Sequence, residues 1–89
     1  MLLFEMPDSA AAESLSRRLR LRWTEWVHDG NGLLVVAVLL RSTPGDLAVL
    51  LREVEAWAGE RGLPELWFHL DRRSYLIRVP EVASASTAA

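Results

Sequence analysis

Two histidines, His28 and His69, are the side chains in this 89-residue chain best suited to acid–base or metal chemistry. Imidazole can serve as a general base or as a metal ligand near neutral pH. The chain has no cysteine and its carboxylates are scattered, a pattern that does not indicate a dedicated zinc site. His28 adjoins a turn and is expected to be solvated, whereas His69 alternates with Trp67 in a strand-like stretch. We therefore predict no catalytic residue, no metal ligand and no cofactor.

All ten basic residues are arginine, and four of them cluster at Arg17, Arg18, Arg20 and Arg22. Such a cluster could bind phosphate, but it spreads over more than one side of a helix. It is more typical of a solvated surface near a helix C-terminus, where cations interact favourably with the dipole. Because the net charge is −2, the composition argues against a general nucleic-acid binder.

Four tryptophans are many for a chain of this length. Trp57 lies on the apolar side of a predicted helix and is expected in the core. Trp23, Trp26 and Trp67 fall on predicted strands, where a tryptophan either packs in the core or anchors an interface.

A β-hairpin is predicted where the polar stretch before Asp29-Gly30-Asn31-Gly32 returns as eight consecutive apolar residues, 33–40. If the turn centres on Gly30-Asn31, Val27 lies opposite Leu34 and Trp23 lies opposite Val38. A turn centred one residue away is the alternative, and it is expected to reverse the faces of the side chains. Residues 33–40 lack polar alternation, so both faces of that strand require cover.

Two helices flank the hairpin. The first is predicted to begin at Asp8 or Ser9, either of which can cap free N–H groups, and to bury Ala12, Leu15 and Leu19. The second is predicted to begin with Thr43 as cap and Pro44 in the first turn, and to end near Gly62.

Residues 65–79 are strand-like, but one strand of that length would extend roughly 50 Å. A turn is therefore predicted over 71–74, with strands at 66–70 and 75–79. One long bent strand is the alternative. Residues 2–6 are short and apolar and are predicted to form the first strand.

The predicted order is β-α-β-β-α-β, with a further C-terminal strand if residues 66–79 form a hairpin. This order resembles the ferredoxin-like arrangement over residues 2–79. The resemblance implies an α+β two-layer sandwich, with an antiparallel sheet and both helices on one face. That fold hosts many unrelated activities, so the resemblance does not assign a function.

The length and composition, 51% hydrophobic and 25% charged, predict a single domain over residues 1–80 and a disordered tail over 81–89. The first residues have no basic segment typical of a signal peptide, and no apolar run reaches the length that spans a bilayer. With no cysteines present, we expect a cytoplasmic protein without a membrane interaction.

Helices on one face leave the other face of the apolar strands uncovered. We therefore expect a small non-catalytic interaction or regulatory module that binds a second copy or another protein partner through its sheet. The interface candidates are Trp23, Trp26, Val35, Val36, Val38 and Trp67. The alternative is a small dimeric enzyme with an apolar pocket between sheet and helices, for which His28, His69, Glu25 and Tyr75 are the candidate polar groups.

Overall fold

The computed structural model describes residues 1–79, and the predicted tail at 81–89 lies outside the described residues. These residues form an α+β fold of two helices and one five-stranded antiparallel sheet, which confirms the predicted class. The elements are β1 (Leu2–Glu5), α1 (Ser9–Leu19), β2 (Thr24–Gly30), β3 (Leu33–Leu39), α2 (Asp46–Glu60), β4 (Glu65–Leu70) and β5 (Arg73–Arg78).

The strand order across the sheet is β2-β3-β1-β4-β5, and every neighbouring pair is antiparallel. The first strand therefore lies in the centre, between β3 and β4. Its central position, together with the helices that pack on one face, explains why Leu2 and Phe4 are fully buried.

One hydrophobic core joins both helices to the same face of the sheet. Alternate residues of three central strands point into it, because side chains alternate between the two faces of a strand. These sheet residues are Leu2, Phe4, Val36, Val38, Leu66 and Phe68. The helices contribute Ala11, Ala12, Leu15 and Leu19 from α1, and Leu50, Val54, Trp57 and Ala58 from α2. We call this side of the sheet the covered face.

Helix α1 begins as predicted. Asp8 is its N-cap, and the side chain accepts a hydrogen bond of 2.7 Å from the backbone N–H of Ala11. The predicted apolar residues Ala12, Leu15 and Leu19 are all buried.

The cap predicted for α2 is wrong, although the helix begins within two residues of Pro44. Its N-cap is Gly45, which has a left-handed backbone (φ 81°) and makes no side-chain cap. The chain turns before the helix, with the N–H of Asp46 bonded to the carbonyl of Thr43 at 3.2 Å. The helix ends at Glu60, near Gly62 as predicted.

The register predicted for the first hairpin is also wrong. Val27 lies opposite Val36, and Asp29 lies opposite Leu34. The reason is the turn, in which Asn31 (φ 54°) and Gly32 (φ 75°) are both left-handed. A two-residue hairpin turn of this type requires two positive φ angles, which Asn-Gly supplies. Each opposing residue is shifted by two positions, so the side chains keep their predicted faces.

The second hairpin exists, but its turn is shorter than predicted. Asp71 and Arg72 alone form the turn, both with positive φ, and Arg73 and Ser74 already belong to β5. The C-terminal strand of the prediction is therefore β5, paired along its length with β4.

Candidate functional site

The face of the sheet opposite the helices, which we call the open face, carries the side chains that alternate with the core residues. In the described part of the chain, no helix contributes to it. Two rows of residues cross this face from β2 to β5, and all neighbours within them are paired except Glu5 and Trp67, which follow the last pair of β1 and β4. The first row is Trp26, Ala37, Leu3, His69 and Ser74, and the second is His28, Val35, Glu5, Trp67 and Leu76.

The open face has a buried apolar centre between two exposed tryptophans. Val35 and Ala37 are only 3% and 1% exposed although no helix covers them. Trp26, at one side, is 39% exposed, and Trp67, at the other, is 44% exposed. Large aromatic side chains with this much exposed area are typical of surfaces that bind a partner.

The six interface candidates divide between the two faces. Trp26, Val35 and Trp67 lie together on the open face, whereas the structure places three others in the core. Those three are Trp23, Val36 and Val38. A residue of the covered core cannot contact a partner without unfolding, so only the first three remain interface candidates.

Trp23 instead completes a buried polar cluster at the start of α2. Its indole N–H donates to both carboxylate oxygens of Asp46, at 3.0 and 3.1 Å. The backbone N–H of Arg41 donates to Asp46 at 2.6 Å, and the Arg41 guanidinium donates at 2.7 Å and lies over the Trp23 ring.

Burial of this carboxylate alone would raise the pKa of Asp46, because the charged form is penalised away from water. The hydrogen bonds from Arg41 and Trp23 outweigh that effect and hold the pKa of Asp46 below its ordinary value. This cluster joins the segment after β3 and the first residue of α2 to Trp23, the residue before β2.

A chain of three polar side chains crosses the open face from β1 to β5. His69 Nε2 lies 2.5 Å from Glu5 Oε2, and His69 Nδ1 lies 2.8 Å from Ser74 Oγ. The strand pairing explains both contacts. Ser74 on β5 is directly opposite His69. Glu5 on β1 is the diagonal neighbour of His69, two residues from Leu3, which is directly opposite it. All three groups are at least partly exposed.

Sequence reasoning singled out His69 but missed Glu5 and Ser74. Glu5 is 64 positions from His69 in the chain. The two side chains meet because β1 pairs with β4 in the sheet. The Ser74 contact would have followed from a two-residue turn, because that turn alone places residue 74 opposite residue 69.

The other polar candidates are not brought to His69. The carboxylate of Glu25 accepts hydrogen bonds from Ser16 and Arg20 on the side of the sheet that faces α1. Tyr75 stacks on Phe68 with ring centroids 5.1 Å apart. His28 lies on the open face at the far edge, on β2. Within residues 1–79, no group of three or more histidine or acidic side chains could hold a metal ion.

A shallow cleft of about 230 Å³ lies where β1 ends and β4 begins. Its lining is mixed and contains neither histidine: Glu5, Met6, Pro7, Leu63, Glu65, Leu66 and Trp67. Glu5 and Trp67 link the cleft to the open face.

The arginine cluster proves to be partly engaged in ion pairs. Arg18 of α1 contacts Glu53 at 2.7 Å and Glu60 at 2.9 Å, both on α2. These hydrogen bonds to carboxylates raise the pKa of Arg18. Arg20 contacts Glu25 at 3.2 Å, so two of the four arginines are paired within the protein.

Comparison with protein-family models, with curated proteins and with solved structures finds no match to this chain. Of the helices that the structure describes, none has the length and apolar character needed to cross a membrane.

Proposed function

We propose that this protein is a small interaction or regulatory module that self-associates, with the open face of its sheet packed against the same face of a second copy. The observation that carries the proposal is the pair of exposed tryptophans, Trp26 and Trp67, beside a buried apolar centre that no described helix covers. Exposed tryptophans are typical of interaction sites, where the large aromatic ring anchors a partner.

The proposed architecture is the ferredoxin-like arrangement with an additional strand. Two features support it: β1 pairs between β3 and β4, and α1 and α2 follow β1 and β3 in the chain. In this arrangement both helices lie on one side, which leaves the opposite face free for a partner.

The open face is of a suitable size for a twofold interface. Five strands spaced about 4.8 Å apart, each about 20 Å long, give a face of roughly 500 Å² in projection. Because side chains project from the sheet, the accessible area of the open face is larger than its projected area. It approaches the roughly 800 Å² per partner of a standard interface. Closed dimers are the commonest assemblies of identical chains, and they bring one patch against itself.

The charges on the open face are compatible with a second copy of the chain. Glu5 is a carboxylate in the middle of the face, and its bond to His69 means that a partner would not meet it unpaired. The net charge of −2 gives little overall repulsion between two copies.

The enzyme alternative has less support. It requires a pocket between sheet and helices, and the cleft at the ends of β1 and β4 is neither placed there nor lined by a histidine. The covered side is filled by packed side chains from both helices.

Sedimentation velocity on the wild type, Trp67→Glu and Val49→Glu tests the proposal. Trp67 is on the open face and 44% exposed, and Val49 is on the outer side of α2 and 38% exposed. We expect a dimer for the wild type and Val49→Glu, and a folded monomer for Trp67→Glu. A wild type that stays monomeric at high concentration contradicts the proposal, as does a Trp67→Glu variant that still dimerises.

A further inference from the structure

The hydrogen bonds between Glu5, His69 and Ser74 favour proton transfer from the Ser74 hydroxyl to His69. An ionised carboxylate only accepts hydrogen bonds, so Glu5 requires a proton on His69 Nε2. A neutral imidazole carries a proton on one nitrogen only, so Nδ1 is then an acceptor. The hydroxyl of Ser74, 2.8 Å away, is the group positioned to donate to it.

We propose that Ser74 is a covalent modification site: an activated nucleophile that accepts acyl groups from activated esters or thioesters. His69 is its general base, and Glu5 is a positioning residue that fixes the tautomer and orientation of the imidazole. A hydroxyl and a base within hydrogen-bond reach, with the base oriented by a third group, is the arrangement that activates serine nucleophiles. This inference concerns the free protomer, because the proposed self-association would cover part of the same face.

The step balances without a further reactant. Ser74 Oγ attacks the carbonyl carbon of the acyl donor, and its proton passes to His69 Nδ1. The bond from the carbonyl carbon to the leaving oxygen or sulfur then breaks, and that atom departs with the electron pair. The imidazolium returns its proton to the leaving group or to water. The products are the Ser74 acyl ester and a free alcohol or thiol.

The surroundings of Ser74 suit an apolar acyl group. Ser74 lies on the edge strand β5, at the rim of the open face, and is exposed. Leu76 is its neighbour on the same face, and Trp67, opposite Leu76, is 44% exposed. An acyl chain on Ser74 can therefore lie along Leu76 toward the indole ring without entering the core.

The experiment uses the full chain and p-nitrophenyl acetate, followed by proteolysis and mass spectrometry of the acetylated peptides. Ser42 is the internal control, because it is exposed, lies outside the helices and strands, and has no histidine bonded to its hydroxyl in the described part of the chain. General-base assistance contributes about 10²-fold or more. We expect Ser74 to be acetylated about 10²-fold faster than Ser42.

Two variants separate the roles. In His69→Gln, which keeps a polar side chain but removes the base, Ser74 should react no faster than Ser42. In Glu5→Gln the carboxylate that orients the imidazole is gone, so acetylation of Ser74 should slow while Ser42 keeps its wild-type rate. Circular dichroism establishes that each variant is folded.

Equal acetylation of Ser74 and Ser42 in the wild type overturns the proposal, and this comparison requires no variant. A Ser74 rate that is unchanged in His69→Gln also overturns it. An unchanged Ser74 rate in Glu5→Gln, or an equal loss at Ser74 and Ser42, overturns the positioning role of Glu5.

Discussion

The two faces of β1 each carry a leucine, and the two leucines differ in how deeply they are buried. Leu2 and Leu3 are adjacent in the chain, but Leu2 is completely buried under the helices while Leu3 is half-buried on the open face. Hydropathy alone does not distinguish them. What differs is the cover, which α1 and α2 supply on one side and no described helix supplies on the other.

The strand β3 extends this comparison. Val35 and Val36 are both buried, one on each face. Val36 is covered by the helices, whereas Val35 is shielded within the sheet surface between residues such as Glu5 and His28. The open face is therefore partly covered by its own side chains, and the exposed area is concentrated on the flanking tryptophans.

Alanine substitutions of Leu2 and Leu3 should give the largest difference in unfolding free energy between the two faces. Leu2→Ala should destabilise the protein by about 2–5 kcal/mol, since it leaves a cavity in a packed core. Leu3→Ala should cost roughly 1 kcal/mol in the monomer, because partly exposed atoms lose less burial energy. Urea unfolding at low protein concentration measures both. Equal losses would mean that the two faces are equally covered.

The Asp46 cluster should make the covered side sensitive to acid. Because the folded-state pKa of Asp46 is lowered, its contribution is present above the ordinary aspartate value, near 3.8. It is lost as pH falls through the lowered folded-state value. Asp46→Asn should reduce the melting temperature by about 10 °C at neutral pH, and the difference from wild type should narrow in acid.

Asp29→Asn is the matched control, since Asp29 is exposed on the edge strand β2. It should leave the melting temperature almost unchanged over the same pH range. A difference for Asp46→Asn that stays constant down to the most acid conditions would contradict the assignment.

Local signals in the sequence predicted the elements well. Periodic apolar residues, the Asp8 cap and the Gly62 stop indicated the helices, and alternation with turn residues indicated the strands. The α+β class followed and is confirmed, whereas the ferredoxin-like arrangement and the single-domain boundary stay predictions.

Features that depend on long-range pairing were not predictable. The contact of the Asp46 carboxylate with Trp23, 23 positions earlier in the chain, could not be read from residue spacing. Trp23, Val36 and Val38 became interface candidates because periodicity alone does not show which face receives the helices. The Glu5–His69 contact likewise required the position of β1 in the sheet.

Alanine substitutions in the turn between β2 and β3 should cost less stability than Leu2→Ala, and they test the register of that hairpin. Gly32 has a φ of 75° and space around the position of an added Cβ, so Gly32→Ala should cost about 1 kcal/mol from backbone strain alone. In Gly30→Ala the atom nearest to the added Cβ would be Nε2 of His28, at 2.9 Å, at the end of a flexible side chain. That ring can move away, so the loss in thermal unfolding should be smaller. A larger loss for Gly30→Ala would favour the turn at Gly30-Asn31.

The smallest effect should come from the ion pairs between the two helices. The side chains of Arg18 and Glu53 are 27% and 32% exposed, so water and salt screen their attraction. A double-mutant cycle with Arg18→Gln and Glu53→Gln should give a coupling below about 1 kcal/mol, and it should decrease further at high salt. The apolar residues beneath, such as Leu15 and Val54, are fully buried and should provide most of the stability of the helical layer. A coupling comparable to the Leu2→Ala loss would mean that charge, rather than burial, holds the helices on the covered face.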